Sequence, residues 1–382
     1  MSETTFETTL TPIARTAGIE QDRVLRFVQS HVPDCREVVQ LEMQPLVGGL
    51  RAATVRVEAH YVDTRDRLRV FVFVAKKLDG AMRREAAIYQ ALSARFIDRP
   101  ERTTSSGVAP LPLPRLLGVD ESRDCYLYLE CVSSSDIWPW HNVETTGAVL
   151  DALADLHNHP PTADLGPVLA QWDYDAELQA SAQSTLELFD TLTYLRNTDL
   201  APRGLWGRGR ALRRVVESLP AIRRCLRETT SLHASALHGD VHPGNILLCH
   251  AEYPCKQQRP RSTPAPRVVL LDWERARLGS PLEDVCSWLQ SLSYWEPEAR
   301  RRHDTLLRRY LRARGYSDVL SRQLRDLYWL AGACNALSGA LRYHLAVASG
   351  WNDPSPDQRD AAFRAAADCL RVIRRADACW HT

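Results

Sequence analysis

The chain has 382 residues, 45% of them apolar, and 48 Lys and Arg against 47 Asp and Glu. That length suits about two domains with ordinary cores. A net charge of +1 supplies no global field to draw in nucleic acid or an anionic membrane, and no apolar run approaches the ~18 residues of a spanning helix, so neither partner is expected.

The opening residues, MSETTFETTLTPIARTAGIEQDRV, lack the basic and apolar regions of a signal peptide, and a cytoplasmic location is expected. Ten cysteines are scattered from Cys35 to Cys379 without a C-x-x-C pair and read as free thiols. Cys249, His250 and Cys255 fit no standard zinc spacing. Only Lys76, Lys77 and Lys256 are lysine; every other basic residue is arginine.

Residues 12 to 31 carry apolar positions at helical spacing and predict one or two short helices. From Leu41 the pattern changes to strands: LEMQPLV, the Gly48-Gly49 pair, ATVRVEAHYV, a charged turn at Asp63 to Arg67, and LRVFVFVAKKL. A helix is expected from Ala81 to Arg95, then a Ser/Gly/Pro loop, then the strand-like runs PRLLGVD and CYLYLECV. After a polar and aromatic linker beginning at Ser133, the remainder reads mainly as helices. Two strand-like runs interrupt them, NILLC at 245 to 249 and RVVLLDW at 267 to 273, with a Pro/Arg-rich separator. The expected division is therefore a β-rich lobe over residues 1–132 and a helical lobe over 133–382, an α+β architecture.

The segment LHGDVHPGNILL, 237–248, places His238, Asp240 and Asn245 in an H-x-D-x-x-x-x-N spacing, which kinases share. One carboxylate there would accept a hydrogen bond from an attacking hydroxyl while a nearby amide oxygen coordinates Mg²⁺. Pro243 and Gly244 supply the tight turn that lets both side chains point one way. In the second segment, VVLLDWERARLGSPLEDV at 268–285, an apolar strand delivers Asp272 where a kinase's D-F-G aspartate would lie. Glu274 is a weaker candidate for a second Mg²⁺, and Asp284, at a helix start, would cap backbone amides and support the catalytic loop.

HGD-x-HPGN followed by an apolar strand, D-W-E, G-x-P and a downstream aspartate resembles the aminoglycoside phosphotransferase and choline kinase family, small-molecule relatives of protein kinases. The matched motifs run from about Leu41 to Trp295. The resemblance implies a protein-kinase-like two-lobed fold and transfer of the ATP γ-phosphoryl group to a hydroxyl of a small molecule. Asp240 would be the catalytic base, Asn245 and Asp272 the Mg²⁺ ligands. It further implies a lysine on the α- and β-phosphates and a glutamate paired with it, here Lys76 and Glu85, nine residues apart, a short separation for the family. Neighbouring strand residues face opposite ways, so Lys76 and Lys77 cannot serve together. Gly48 and Gly49 would form the phosphate-covering turn. Leu129-Glu130-Cys131-Val132 resembles a kinase hinge at about 129–132, with the Glu130 carbonyl and Val132 amide on the adenine edge.

No A-P-E segment follows Asp284, which separates the chain from protein kinases, and retention of Asp240, Asn245 and Asp272 argues against a nucleotide-binding scaffold. The acceptor stays open between an antibiotic or other natural product and a primary metabolite such as an amino alcohol or sugar. An acidic pocket for a polycation could draw on Glu283, Glu296, Glu298 and Asp353, GTP stays open beside ATP, and the sequence is silent on oligomeric state.

Overall fold

The computed structural model describes residues 18–46, 52–97, 112–122, 124–133, 143–161, 163–194, 206–229, 232–249, 267–295, 297–317 and 319–381. These form two compact units, the first within Met1–Ser134 together with Leu271–Glu274, the second comprising Ser135–Leu270 and Arg275–Thr382. The architecture is α+β and protein-kinase-like, with an antiparallel sheet in the N-terminal part and helices in the C-terminal part.

In the first unit, helix α1 (Gln21–His31) precedes strands β1 (Cys35–Pro45), β2 (Thr54–Asp63) and β3 (Leu68–Leu78). A 3-10 turn, Gly80–Arg83, leads into α2 (Arg84–Ile97), followed by β4 (Leu116–Asp120) and β5 (Cys125–Glu130). The sheet order is β1-β2-β3-β5-β4, every pair antiparallel. Alternation along β2 and β3 puts Val55, Val57, Ala59, Phe73 and Ala75 on one face, where they pack with Val24 and Val28 of α1. Phe27 lies flat on Tyr128, ring centroids 3.7 Å apart. Burying a side chain the size of Phe73 contributes roughly 1.5–3 kcal/mol, so this face anchors the sheet. The other face is thereby left to carry Lys76.

β1 begins six residues earlier than the Leu41 expected from its pattern, because Cys35 to Gln40 continue the pairing with β2 through two register shifts. Those irregularities spoil the period-2 signal. Similarly, the helix expected from Ala81 starts as a 3-10 turn and becomes α-helical only at Arg84.

The second unit opens with α3 (Val143–Asn158), α4 (Leu165–Ala170), α5 (Tyr174–Tyr194) and α6 (Gly209–Glu228). Leu212, Val215, Val216, Leu219, Ile222 and Leu226 make the buried stripe of α6 at helical spacing. Four short strands follow: β6 (Ser235–Leu237), β7 (Ile246–Cys249), β8 (Arg267–Leu270) and β9 (Arg277–Gly279). β7 and β8 pair antiparallel, Ile246 opposite Leu270, while β6 pairs with β9. The expected insertion between β7 and β8, residues 250–266, lies outside the described residues, as do Gly48 and Gly49. The three-residue strands β6 and β9 are too short for any periodicity to announce.

The remaining helices are α7 (Leu282–Trp295), α8 (His303–Ala313), α9 (Arg322–Asn335), α10 (Leu341–Ala348) and α11 (Pro356–Trp380). A capping box starts α11, with Ser355 and Gln358 satisfying each other's backbone amides and Pro356 in the first turn. Among the described residues, no helix is long and apolar enough to cross a membrane.

Candidate active site

In the first unit, Lys76 is the third residue from the end of β3, and its Nζ lies 2.6 Å from Glu85 Oε2 and 2.7 Å from Asp272 Oδ1. Glu85 stands in the first turn of α2, and the preceding 3-10 turn makes the nine-residue separation sufficient for it to reach back to the strand. Its second oxygen, Oε1, accepts the Trp273 main-chain N–H at 3.2 Å. A single buried carboxylate thus holds both the lysine and the residue after Asp272. Burial, only partly offset by Lys76, pushes the Glu85 carboxyl up to about 7. Burial works against the Lys76 charge as well, but Glu85 and Asp272 outweigh it and leave Nζ above its ordinary value. Lys77 points the other way and pairs with Asp124 at 3.5 Å.

Asp272 has φ +64°, a left-handed conformation that costs a residue with a Cβ on the order of 1–2 kcal/mol. Aspartate tolerates this region better than most, and such outliers concentrate where geometry serves chemistry. Arg84 Nη1 donates to the Glu274 carbonyl at 3.0 Å, so that turn is tied to α2 at a second point.

In the second unit, β6 carries the chain into His238, Gly239 and Asp240. Gly239 has φ +86°, and a Cβ there would stand 2.1 Å from the Arg275 carbonyl oxygen, so only glycine fits. Asp240 donates its amide to His238 Nδ1 at 3.3 Å, and its side chain is 37% exposed. His242 then accepts the Gly244 amide at 3.1 Å, capping the 3-10 turn Pro243–Asn245, and that turn folds Asn245 back on Asp240. Asn245 Nδ2 donates to the Asp240 carbonyl at 3.0 Å and to Oδ2 at 3.3 Å. Both partners are acceptors, which fixes the amide orientation and leaves Oδ1 as the atom for a cation. Asp272 and Asn245 are thus hard oxygen donors of the kind Mg²⁺ takes, each within its own unit.

The loop is held from below by Asp284, fully buried at the start of α7. Its Oδ2 and Oδ1 accept the His238 and Gly239 amides, both at 2.8 Å, so it supports the loop as expected but caps loop amides rather than those of its own helix start. His157, also buried, contacts Asp284 Oδ2 at 3.2 Å and the Tyr310 hydroxyl at 2.8 Å. Burial would raise the Asp284 carboxyl, but the bond and charge from His157 bring it below the usual carboxylate range.

Glu130 closes β5, its amide donating to the Arg115 carbonyl at 2.9 Å, and Val132 lies in the coil two residues on. One expectation is overturned: Glu283 cannot serve an acidic pocket for a polycation, because it is 4% exposed and bound to Arg277 Nη2 at 2.7 Å and Arg223 Nη1 at 2.9 Å. Glu296 and the Glu298 side chain lie outside the described residues, and Asp353 is an exposed turn residue with φ +48°. Arg277 carried no signal in the sequence, since a lone arginine on a three-residue strand belongs to no motif.

The profile of the phosphotransferase enzyme family matches residues 42–327. No curated protein sequence matches the chain. Among solved structures, a spectinomycin phosphotransferase determined with ADP and spectinomycin is 9% identical, with a TM-score of 0.53 over 93% of this chain and 98% of that one. Ethanolamine kinase from Plasmodium vivax gives 12% and 0.52, covering 87% and 83%. An aminoglycoside 2'-phosphotransferase determined with GDP gives 12% and 0.51, covering 94% and 98%. These likenesses establish the fold, and the profile, which spans well over half of the sequence, shows that the chain belongs to the phosphotransferase enzyme family.

Proposed function

We propose that the protein transfers the γ-phosphoryl group of ATP to a hydroxyl of a small molecule, an antibiotic or related natural product. The observation that carries this reading is the Lys76 ammonium held by both Glu85 and Asp272, since a cation so fixed needs no reorganisation to meet phosphate oxygens. Asp240 is the base: as the acceptor oxygen bonds to the γ-phosphorus, its proton passes to an Asp240 carboxylate oxygen and ADP leaves. Asn245 holds Asp240 through Nδ2 and offers Oδ1, with Asp272, to Mg²⁺. Bound there, the metal would supply positive charge against the charge developing on the transferred group. Gly48 and Gly49 cover the phosphates, and the Glu130 carbonyl and Val132 amide take the adenine edge. In this reading residues 1–132 form the nucleotide-binding lobe and residues 133–382 the catalytic and acceptor lobe, working in the cytoplasm, where ATP is available.

A kinase of an amino alcohol or sugar uses the same machinery, and similarity to both an ethanolamine kinase and a spectinomycin phosphotransferase keeps that acceptor class in the test. ADP or GDP release is measured with Mg·ATP and Mg·GTP against hydroxylated antibiotics, nucleosides, sugars and amino alcohols, beside Asp240→Asn. Acceptor-dependent release abolished in Asp240→Asn is the expected result. Release that survives the substitution removes Asp240 as the base.

A further inference from the structure

Within the second unit, a chain of buried charges runs from the catalytic loop to helices α5 and α6. Arg277, 5% exposed, donates from Nη1 to the Gly239 and Arg275 carbonyls, both at 3.3 Å, and from Nη2 to Glu283 Oε2 at 2.7 Å. Its guanidinium lies 3.7 Å from the centre of the Tyr174 ring, at the start of α5. The same Glu283 oxygen is 2.9 Å from Nη1 of Arg223 on α6, and Arg223 Nε donates to Asp175 Oδ1 at 2.8 Å, again on α5. Glu283 Oε1 accepts the Ser280 amide at 3.1 Å.

Stability is a poor account of this arrangement. Two buried arginines share one carboxylate, and the cost of desolvating such groups commonly cancels their attraction, so well-packed apolar residues would serve a core as well. The network is also imperfectly satisfied among the described residues: Arg277 Nε has no hydrogen-bond partner there, and Arg223 Nη1, though close to Glu283, lacks hydrogen-bond geometry. What the arginine achieves is geometric. One nitrogen gathers two main-chain carbonyls, Gly239 O and Arg275 O, at the point where Gly239 has no room for a side chain. Gly239 O belongs to the peptide that leads into Asp240, so its direction sets where the Asp240 carboxylate begins. A lysine has no planar fork with which to span these partners.

We propose that Arg277, Glu283, Arg223 and Asp175 form a positioning relay that sets the Gly239-Asp240 peptide and ties it to α5 and α6, so that loop order and turnover respond to changes on those helices. The turnover part rests on the reading of Asp240 as base; the loop-order part does not. Hydrogen exchange of the segment 237–249 in the full chain tests the relay, with α11 as an internal reference, alongside Mg·ATP turnover. In Arg277→Lys, loop exchange is expected to quicken at least tenfold with α11 unchanged, and kcat to fall at least tenfold with KM for ATP within twofold. In a folded Arg277→Lys, loop exchange and kcat both within twofold of wild type overturn the relay. Should Arg277→Lys fail to fold, the half-buried outer member Asp175 carries the test: faster loop exchange in Asp175→Asn supports coupling from α5, and unchanged exchange overturns it. Asp240→Asn separates the two ideas, since unimpaired turnover there refutes the base and leaves the exchange result standing.

Discussion

Removing the Asp284 carboxylate should be among the most destabilising single changes in the second unit. It accepts two main-chain amides at 2.8 Å and contacts His157 at 3.2 Å, and the carboxylate itself is fully buried. In Asp284→Ala, the buried His238 N–H and His157 and the partly buried Gly239 N–H lose that partner. Each of the two stranded main-chain donors costs about 1–3 kcal/mol, so the expected loss is ~2–6 kcal/mol. Asp284→Asn keeps the shape and one oxygen but aims an NH₂ group at a second donor, for an expected loss of ~2–3 kcal/mol. Urea unfolding at pH 7 with a common m-value measures both. Because the folded-state carboxyl sits below its ordinary value of 3.8, its contribution is present above that pH and is lost only as the pH falls further. The gap between wild type and Asp284→Asn should therefore hold from pH 8 to about 5. A loss under about 1 kcal/mol for Asp284→Ala would refute the reasoning.

The two adjacent lysines should behave oppositely. Lys76→Met strips the cation shared by Glu85 and Asp272 and should weaken Mg·ATP binding at least tenfold by calorimetry, about 1.4 kcal/mol. Lys77→Met, which loses the Asp124 contact, should leave binding within twofold; equal effects would contradict the assignment of faces. His303, 9% exposed between Ser293 and Tyr328, is pushed by burial down to about 4. The unfolded chain takes up this proton first, so stability should fall as pH drops from about 6.5 to 4, by roughly 3 kcal/mol in all. Unfolding curves of His303→Gln should show a shallower slope over that window, and an unchanged slope would rule out His303 as its source.

What could be read directly from the chain was local. His238, Asp240 and Asn245 lie within eight residues, and Pro243 and Gly244 restrict the turn between them, so motif and geometry coincide. Asp284 could be foreseen as a support for the loop, but its partners could not: a helix start suggests its own unpaired N–H groups, whereas Asp284 accepts the amides of His238 and Gly239. β2 and β3 were legible from alternation, since one face packs on α1 and the other does not. Tertiary structure decided the rest. Alternation says that only one of Lys76 and Lys77 can face the site, but which one depends on where α2 brings Glu85 and where the turn after β8 brings Asp272. The three-residue strands β6 and β9 exist only as partners of each other, with no pattern of their own. Asp175, Arg223, Arg277 and Glu283 are spread over more than a hundred positions and become one network only when α5, α6, β9 and α7 are packed together. Spacing along a chain encodes contacts within a turn or a strand, whereas a buried charge chooses its partner by proximity in the folded interior, which no local pattern records.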